Sequence, residues 1–225
     1  MRIVIVANSQ GTPAGGVSVG SSYPELVQRG LAAEHAVAIY AESGWSIRDF
    51  NAHVDEILAL QPDLVVLQVG VVECSRRILS TREKRLLQRI RGSTRLTLWL
   101  HDRRKGVILW RSRLRIDTRL FGVGEFDREI ARFVSRLRQG GVRCLLLETP
   151  QFGLAYEREH FPLLNEDIEL FNRVLRRHGA VPILRPGDDI ESIWIAGTVH
   201  LTERGHALVA ERLVERLQQS AVVAA

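Results

Sequence analysis

Five short apolar runs separated by amphipathic stretches constrain this chain more than any other feature. Residues 2–7, 36–41 (AVAIYA), 64–69 (LVVLQV), 142–148 (VRCLLLE) and 181–184 (VPIL) have the length and composition of buried strands. The intervening segments read as helices. One runs from Pro24 to about Glu34, and a second spans 46–60 with Pro62 as its stop. A third begins at Gly124 and stops at Gly140-Gly141, a fourth covers about 164–178, and Thr202 caps a last one reaching about Gln219. Strand–helix alternation of this kind predicts βαβ units, and hence an α/β/α three-layer sandwich on a mainly parallel five-stranded sheet. At 225 residues, with no repeat, linker or low-complexity tract, the chain reads as one domain over 1–225.

One stretch departs from this rhythm. A basic helix is expected over 76–91, and RLTLWLHD-RRKG-VILWRSRLR then predicts a β-hairpin insertion around 94–116, read as a lid or a dimer contact. Ser75–Leu120 holds 15 Arg or Lys against three acids (Glu83, Asp102 and Asp117), a local charge of +12, whereas the whole chain carries only +5. Two readings stand: a solvated helix and hairpin, or a docking face for an anionic partner. Trp99 and Trp110 fit cross-strand packing better than base stacking, so nucleic acid is not an expected partner.

Other classes are excluded more simply. Cys74 and Cys144 are too few for a disulfide framework, and the seven His show no zinc-site spacing. GTPAGGVSVG lacks the Lys-Ser/Thr ending of a phosphate loop. MRIVIVANSQ does not read as a secretory signal, and no apolar stretch approaches a membrane span. The expectation is a soluble, cytoplasmic protein with no membrane partner, metal or organic cofactor.

The residues that carry chemistry are Ser9, directly after the first apolar run, and His200, which opens HLTERGHALVAERL. A serine hydroxyl becomes a useful nucleophile when a base takes its proton, and a parallel α/β sheet gathers its strand-end loops in one crevice. His206 reads as a polar residue with no part in this.

Four blocks extend the pattern: IVANSQGTPAGGVSVGSSYPELVQRGL, ESGWSIRDF, Gly70-Val71-Val72-Glu73, and Gly197-Thr198-Val199-His200. In order and position they make the chain similar to the SGNH/GDSL hydrolases, esterases and acyltransferases on a flavodoxin-like sheet. The resemblance places Ser9 on the nucleophile, His200 on the base, and Ser9, Gly44 and Gly70 around the oxyanion. It also marks three departures: NSQ replaces GDS, Val72 replaces the oxyanion asparagine, and Gly197 replaces the aspartate that orients the histidine. Asp188 or Asp189, or a backbone carbonyl near Gly197, is then expected to orient His200. The resemblance implies acyl-ester hydrolysis or transfer on a small-molecule or carrier-bound acyl substrate. The alternative is a non-catalytic binding protein that kept the fold.

Overall fold

The first apolar run forms β1 (Arg2–Ala7), whose residues from Ile3 onward are completely buried, so the run does not alternate with polar residues. The computed structural model describes residues 1–79, 83, 99–100, 103–114 and 116–223, with side chains described through 219. β2 (Ala36–Ala41) and β3 (Leu64–Gln68) flank β1, and β4 (Arg143–Leu147) joins β3. All pairs are parallel in the order β2-β1-β3-β4, with Ile5 opposite Ile39 on one side and Val66 on the other. The connection reverses direction at β1, which opens a crevice beyond the carboxyl ends of β1 and β3.

Helices complete the layers. α1 (Tyr23–Leu31) has Pro24 in its first turn, buries Tyr23, Val27 and Leu31, and packs against the last helix, α9 (Glu203–Val223). α2 (Ile47–Ala52) and α3 (Val54–Ala59) pack against α6 (Val123–Gln139). α6 turns Phe126, Ile130, Phe133 and Leu137 inward at helical spacing. Phe126 meets Phe171 of α8 (Leu164–Arg177) with ring centroids 4.8 Å apart. α4 (Val71–Cys74), α5 (Arg104–Arg113) and α7 (Leu154–His160) are shorter connecting helices.

The structure corrects four expectations. Among the described residues the sheet has four strands, because VPIL contributes a single parallel bridge. The Val181 N–H donates to the Leu146 carbonyl, and the Glu148 N–H donates to the Val181 carbonyl. The next donor to β4 would be the Ile183 N–H, which makes no bond to the Glu148 carbonyl among the described residues, so the pairing ends at Val181. The helix expected over 46–60 is broken at His53, against which Trp45 packs at 4.6 Å.

The third correction concerns the hairpin around 94–116. Residues 94–98, 101–102 and 115 lie outside the described residues, but 104–113 form α5 instead of the second hairpin strand. The physical reason is a helical period beneath an apparent alternation: Arg104, Ile108 and Arg111 share one face. Ile108 is buried, Arg111 pairs with Glu83, and the Arg104 guanidinium lies 4.8 Å from the centre of the Phe161 ring. Fourth, the basic helix over 76–91 does not begin at Arg76. That residue bridges Arg119 antiparallel, while its guanidinium pairs with Asp167 at 2.5 Å. Residues 80–82 and 84–91 of that expectation lie outside the described residues.

Candidate active site

Ser9 sits on a tight turn leaving β1. Asn8 builds the turn: its side-chain oxygen accepts the Gln10 N–H at 3.2 Å, and its carbonyl accepts the Gly11 N–H at 2.9 Å. A Cβ at position 11 would collide with Ala7, so the glycine is required by close approach. Asn8, Ser9 and Gln10 are all buried. The Ser9 hydroxyl has no hydrogen-bond partner among the described residues, whereas the Ser9 carbonyl has two. The Thr12 hydroxyl donates to it at 3.0 Å, and Nδ1 of His200 lies 3.1 Å from it. Two residues 191 positions apart are thus brought into contact, and the contact runs through the serine main chain.

The loop carrying His200 is held by a residue that the sequence reading missed. The Tyr156 hydroxyl accepts the Thr198 N–H at 2.8 Å and donates to the Ile195 carbonyl at 2.6 Å. Gly197 occupies this turn with φ 73°, a left-handed conformation that favours glycine over the aspartate of the related motif. Asp188 and Asp189 do not orient His200. Asp188 accepts from Arg212 at 2.8 Å and from the Arg185 N–H at 2.7 Å, and hydrogen bonding to Arg212 holds its carboxyl below the usual range. Asp189 faces Arg204 at 3.3 Å. Both carboxylates are drawn to arginines, and the Ser9 carbonyl stands at the imidazole instead.

His206 is also placed differently from the sequence reading. It is fully buried near the start of α9, where Nδ1 accepts the Tyr23 N–H at 3.1 Å. Burial, and then the neighbouring His200, push its pKa down to about 4, so it serves as a neutral acceptor pinning the start of α1.

The two glycines assigned to the oxyanion differ. Gly44 takes φ 79° on an exposed loop just after β2, and its N–H has no hydrogen bond among the described residues. Gly70 takes φ 125°, and its N–H donates to Oε2 of Glu73 at 2.9 Å, so it has no free donor for an oxyanion. A Cβ there would collide with Thr149. Gly70 therefore provides close packing of β3 against the loop after β4.

Glu73 is the second residue missed. It is completely buried, and its other oxygen accepts the Ile47 N–H at 2.6 Å, tying α4 to the start of α2. Burial raises its pKa to about 7, although its hydrogen bonds to backbone N–H groups pull the other way. The signal was available: a glutamate three residues after a helix start reaches back to an unpaired backbone N–H. Beside Ser9, Gln68 donates to Gln10, while Nδ2 of Asn8, Nε2 of Gln10 and Oε1 of Gln68 are buried without partners among the described residues. Among those residues, no group of three His, Cys, Asp or Glu could hold a metal, and no helix is long and apolar enough to cross a membrane.

Fold and site together define an α/β protein of the hydrolase type, with a serine at the end of β1 and a histidine brought to it from just before α9. A family model for GDSL-like lipase/acylhydrolases matches residues 6–208, and the chain belongs to that family. Its fold is similar to that of a lipase/acylhydrolase from Enterococcus faecalis, at 17% identity over 98% of this chain and 97% of that one, with a TM-score of 0.62. It is also similar to the psychrotrophic esterase EstA from Pseudoalteromonas sp., at 11% identity over 98% of each chain and a TM-score of 0.62. A third similar structure is a catalytic mutant of an acetylxylan esterase from Geobacillus stearothermophilus. It shares 14% identity over 95% of this chain and 92% of that one, with a TM-score of 0.60. No curated protein sequence matches the chain.

Proposed function

We propose that this protein cleaves or transfers acyl esters through an acyl-enzyme on Ser9, with His200 as the base. The observation that carries this reading is the 3.1 Å contact between His200 Nδ1 and the Ser9 carbonyl. When Nδ1–H donates to that carbonyl, the proton is fixed on Nδ1 and Nε2 keeps its lone pair. The serine main chain then performs the tautomer-setting task that a triad leaves to aspartate. Nε2 takes the Ser9 hydroxyl proton as Oγ attacks the acyl carbonyl. It returns that proton to the departing alcohol when the tetrahedral intermediate collapses. Water then releases the acid, or a second alcohol or amine takes the acyl group. The Ser9 and Gly44 N–H groups, which have no partner among the described residues, can meet the oxyanion, whereas Val72 offers no side-chain donor and the Gly70 N–H is occupied by Glu73. The acyl substrate is a small molecule or is bound to a carrier.

The occupied Gly70 N–H also favours a second reading, a binding protein that retains the crevice without turnover. Labelling with a fluorophosphonate, followed by peptide mapping, separates the two. Stoichiometric adduct on Ser9 that falls sharply in His200→Ala is the expected result. A folded wild type that takes no label would overturn the nucleophile assignment and leave the binding reading.

A further inference from the structure

The helix that replaces the expected hairpin strand shows solvent an unusual face. Seven large apolar side chains are exposed among the described residues, and four of them lie between 99 and 116: Trp99 (50%), Trp110 (59%), Leu114 (53%) and Ile116 (39%). Trp110 and Leu114 are four residues apart, on the face of α5 opposite Ile108, and Gly106 and Arg113 share that outward side. The Arg103 guanidinium lies 5.0 Å from the centre of the Trp99 ring, and Arg103, Lys105 and Arg113 are themselves exposed.

The inner side of α5 is committed. Ile108 is buried, Arg111 is held by Glu83, and Arg104 lies over Phe161. Phe161 contacts Tyr156, whose hydroxyl holds the loop leading to His200. A patch of indole and aliphatic side chains, bordered by guanidinium groups, is therefore linked through Arg104, Phe161 and Tyr156 to the loop that carries the candidate base.

We propose that this face of α5, with Trp99 and Ile116, is a docking surface for an anionic lipid bilayer, so that the protein works on esters at a membrane surface. Two observations carry this together. Arg103, Lys105 and Arg113 are exposed on and beside α5, within a stretch of sequence, 75–120, whose net charge is +12, and such cations complement anionic headgroups. Trp110, Leu114 and Ile116 are exposed, and the headgroup–acyl boundary of a bilayer is a place where indoles and aliphatic side chains are both stable. A nucleic acid satisfies the cations and can stack on the indoles, but it offers nothing to Leu114 and Ile116. The association is peripheral. The proposal rests on the acyl-ester reading for its purpose, and it stands or falls on binding alone.

The test is flotation of the whole protein with vesicles of phosphatidylcholine alone, and of phosphatidylcholine mixed equally with phosphatidylglycerol. It is run beside tryptophan emission spectra and a fluorescent duplex DNA as competitor. The expected result is association with the anionic vesicles, with a blue shift of tryptophan emission. Partitioning should fall about tenfold in the Trp110→Ala, Leu114→Ala double variant, and by a similar factor when Arg103 and Arg113 become Gln. Both variants alter exposed side chains and should retain wild-type unfolding midpoints. Absence of anionic-vesicle binding would overturn the proposal. Binding insensitive to the apolar double variant would also overturn it, as would DNA displacing the vesicles completely. Ser9→Ala should bind vesicles like wild type, so a dead nucleophile and a failed docking surface give different results.

Discussion

The ends of β1 and β3 form the same crevice and treat their backbone groups in opposite ways. After β1, Asn8 and Gly11 brace a tight turn, yet the Ser9 hydroxyl and N–H are left without partners among the described residues. After β3, the Gly70 N–H is bonded to Glu73, whose carboxylate also holds the start of α2. One corner leaves its polar groups unpartnered among the described residues, and the other uses them to hold two loops together. A glycine at the expected position is therefore weak support for an oxyanion donor. What matters is whether its N–H already has a partner.

The largest expected effect breaks the contrast at its reactive end. Ser9→Ala should lower ester turnover by about three orders of magnitude or more, with its unfolding midpoint near that of wild type. Equal turnover in the variant would move the chemistry away from β1.

Glu73→Ala attacks the structural end. It strips two buried N–H groups of their acceptor, each worth about 1–3 kcal/mol when left unsatisfied, and it opens a cavity. Denaturant unfolding should show a loss of about 3 kcal/mol or more. A loss below about 1 kcal/mol would mean that Gly70 and Ile47 find other partners readily.

The same carboxyl sets a pH dependence. Its folded-state pKa of about 7 exceeds its ordinary 4.5, so the folded chain holds this proton more tightly than the unfolded chain. Its contribution is therefore most favourable below about pH 4.5, and is lost as pH rises to about 7. Unfolding at about pH 5 and about pH 8 should give a steeper decline in wild type than in Glu73→Gln. Equal slopes would show that Glu73 titrates normally.

The smallest effect sharpens the contrast. Val72→Asn restores an amide at the third block, and one oxyanion donor is worth about 10²–10³ in kcat where the geometry is ideal. Without the rest of that geometry, a gain of about tenfold in kcat is expected. No change would place residue 72 away from the acyl carbonyl.

Much of this was legible in the amino-acid sequence. Strands buried on both faces must be short continuous apolar runs, and the runs at 2–7, 36–41, 64–69 and 142–148 became β1 to β4 with boundary shifts of a residue or so. The order of the four motif blocks placed Ser9 and His200 at one crevice, and family membership followed. The fifth run yielded a single bridge at Val181, since the Ile183 N–H does not go on to the Glu148 carbonyl among the described residues. Segment 104–113 shows an apparent alternation that covers the helical period of Arg104, Ile108 and Arg111. Only the packing of Ile108 and Arg111 against their neighbours selects helix over strand.

The sequence by itself determined the strand–helix rhythm, the parallel sheet and the presence of a serine and a histidine in the right order. Those properties depend on local period and on chain order. Only the tertiary structure decided that the Ser9 carbonyl stands by His200 where a carboxylate was expected, that Asp188 and Asp189 serve arginines, and that Glu73 occupies the Gly70 N–H. The reason is that a buried polar group must find whichever partner the packing brings within reach. That partner can lie 191 residues away, where no local pattern can indicate it.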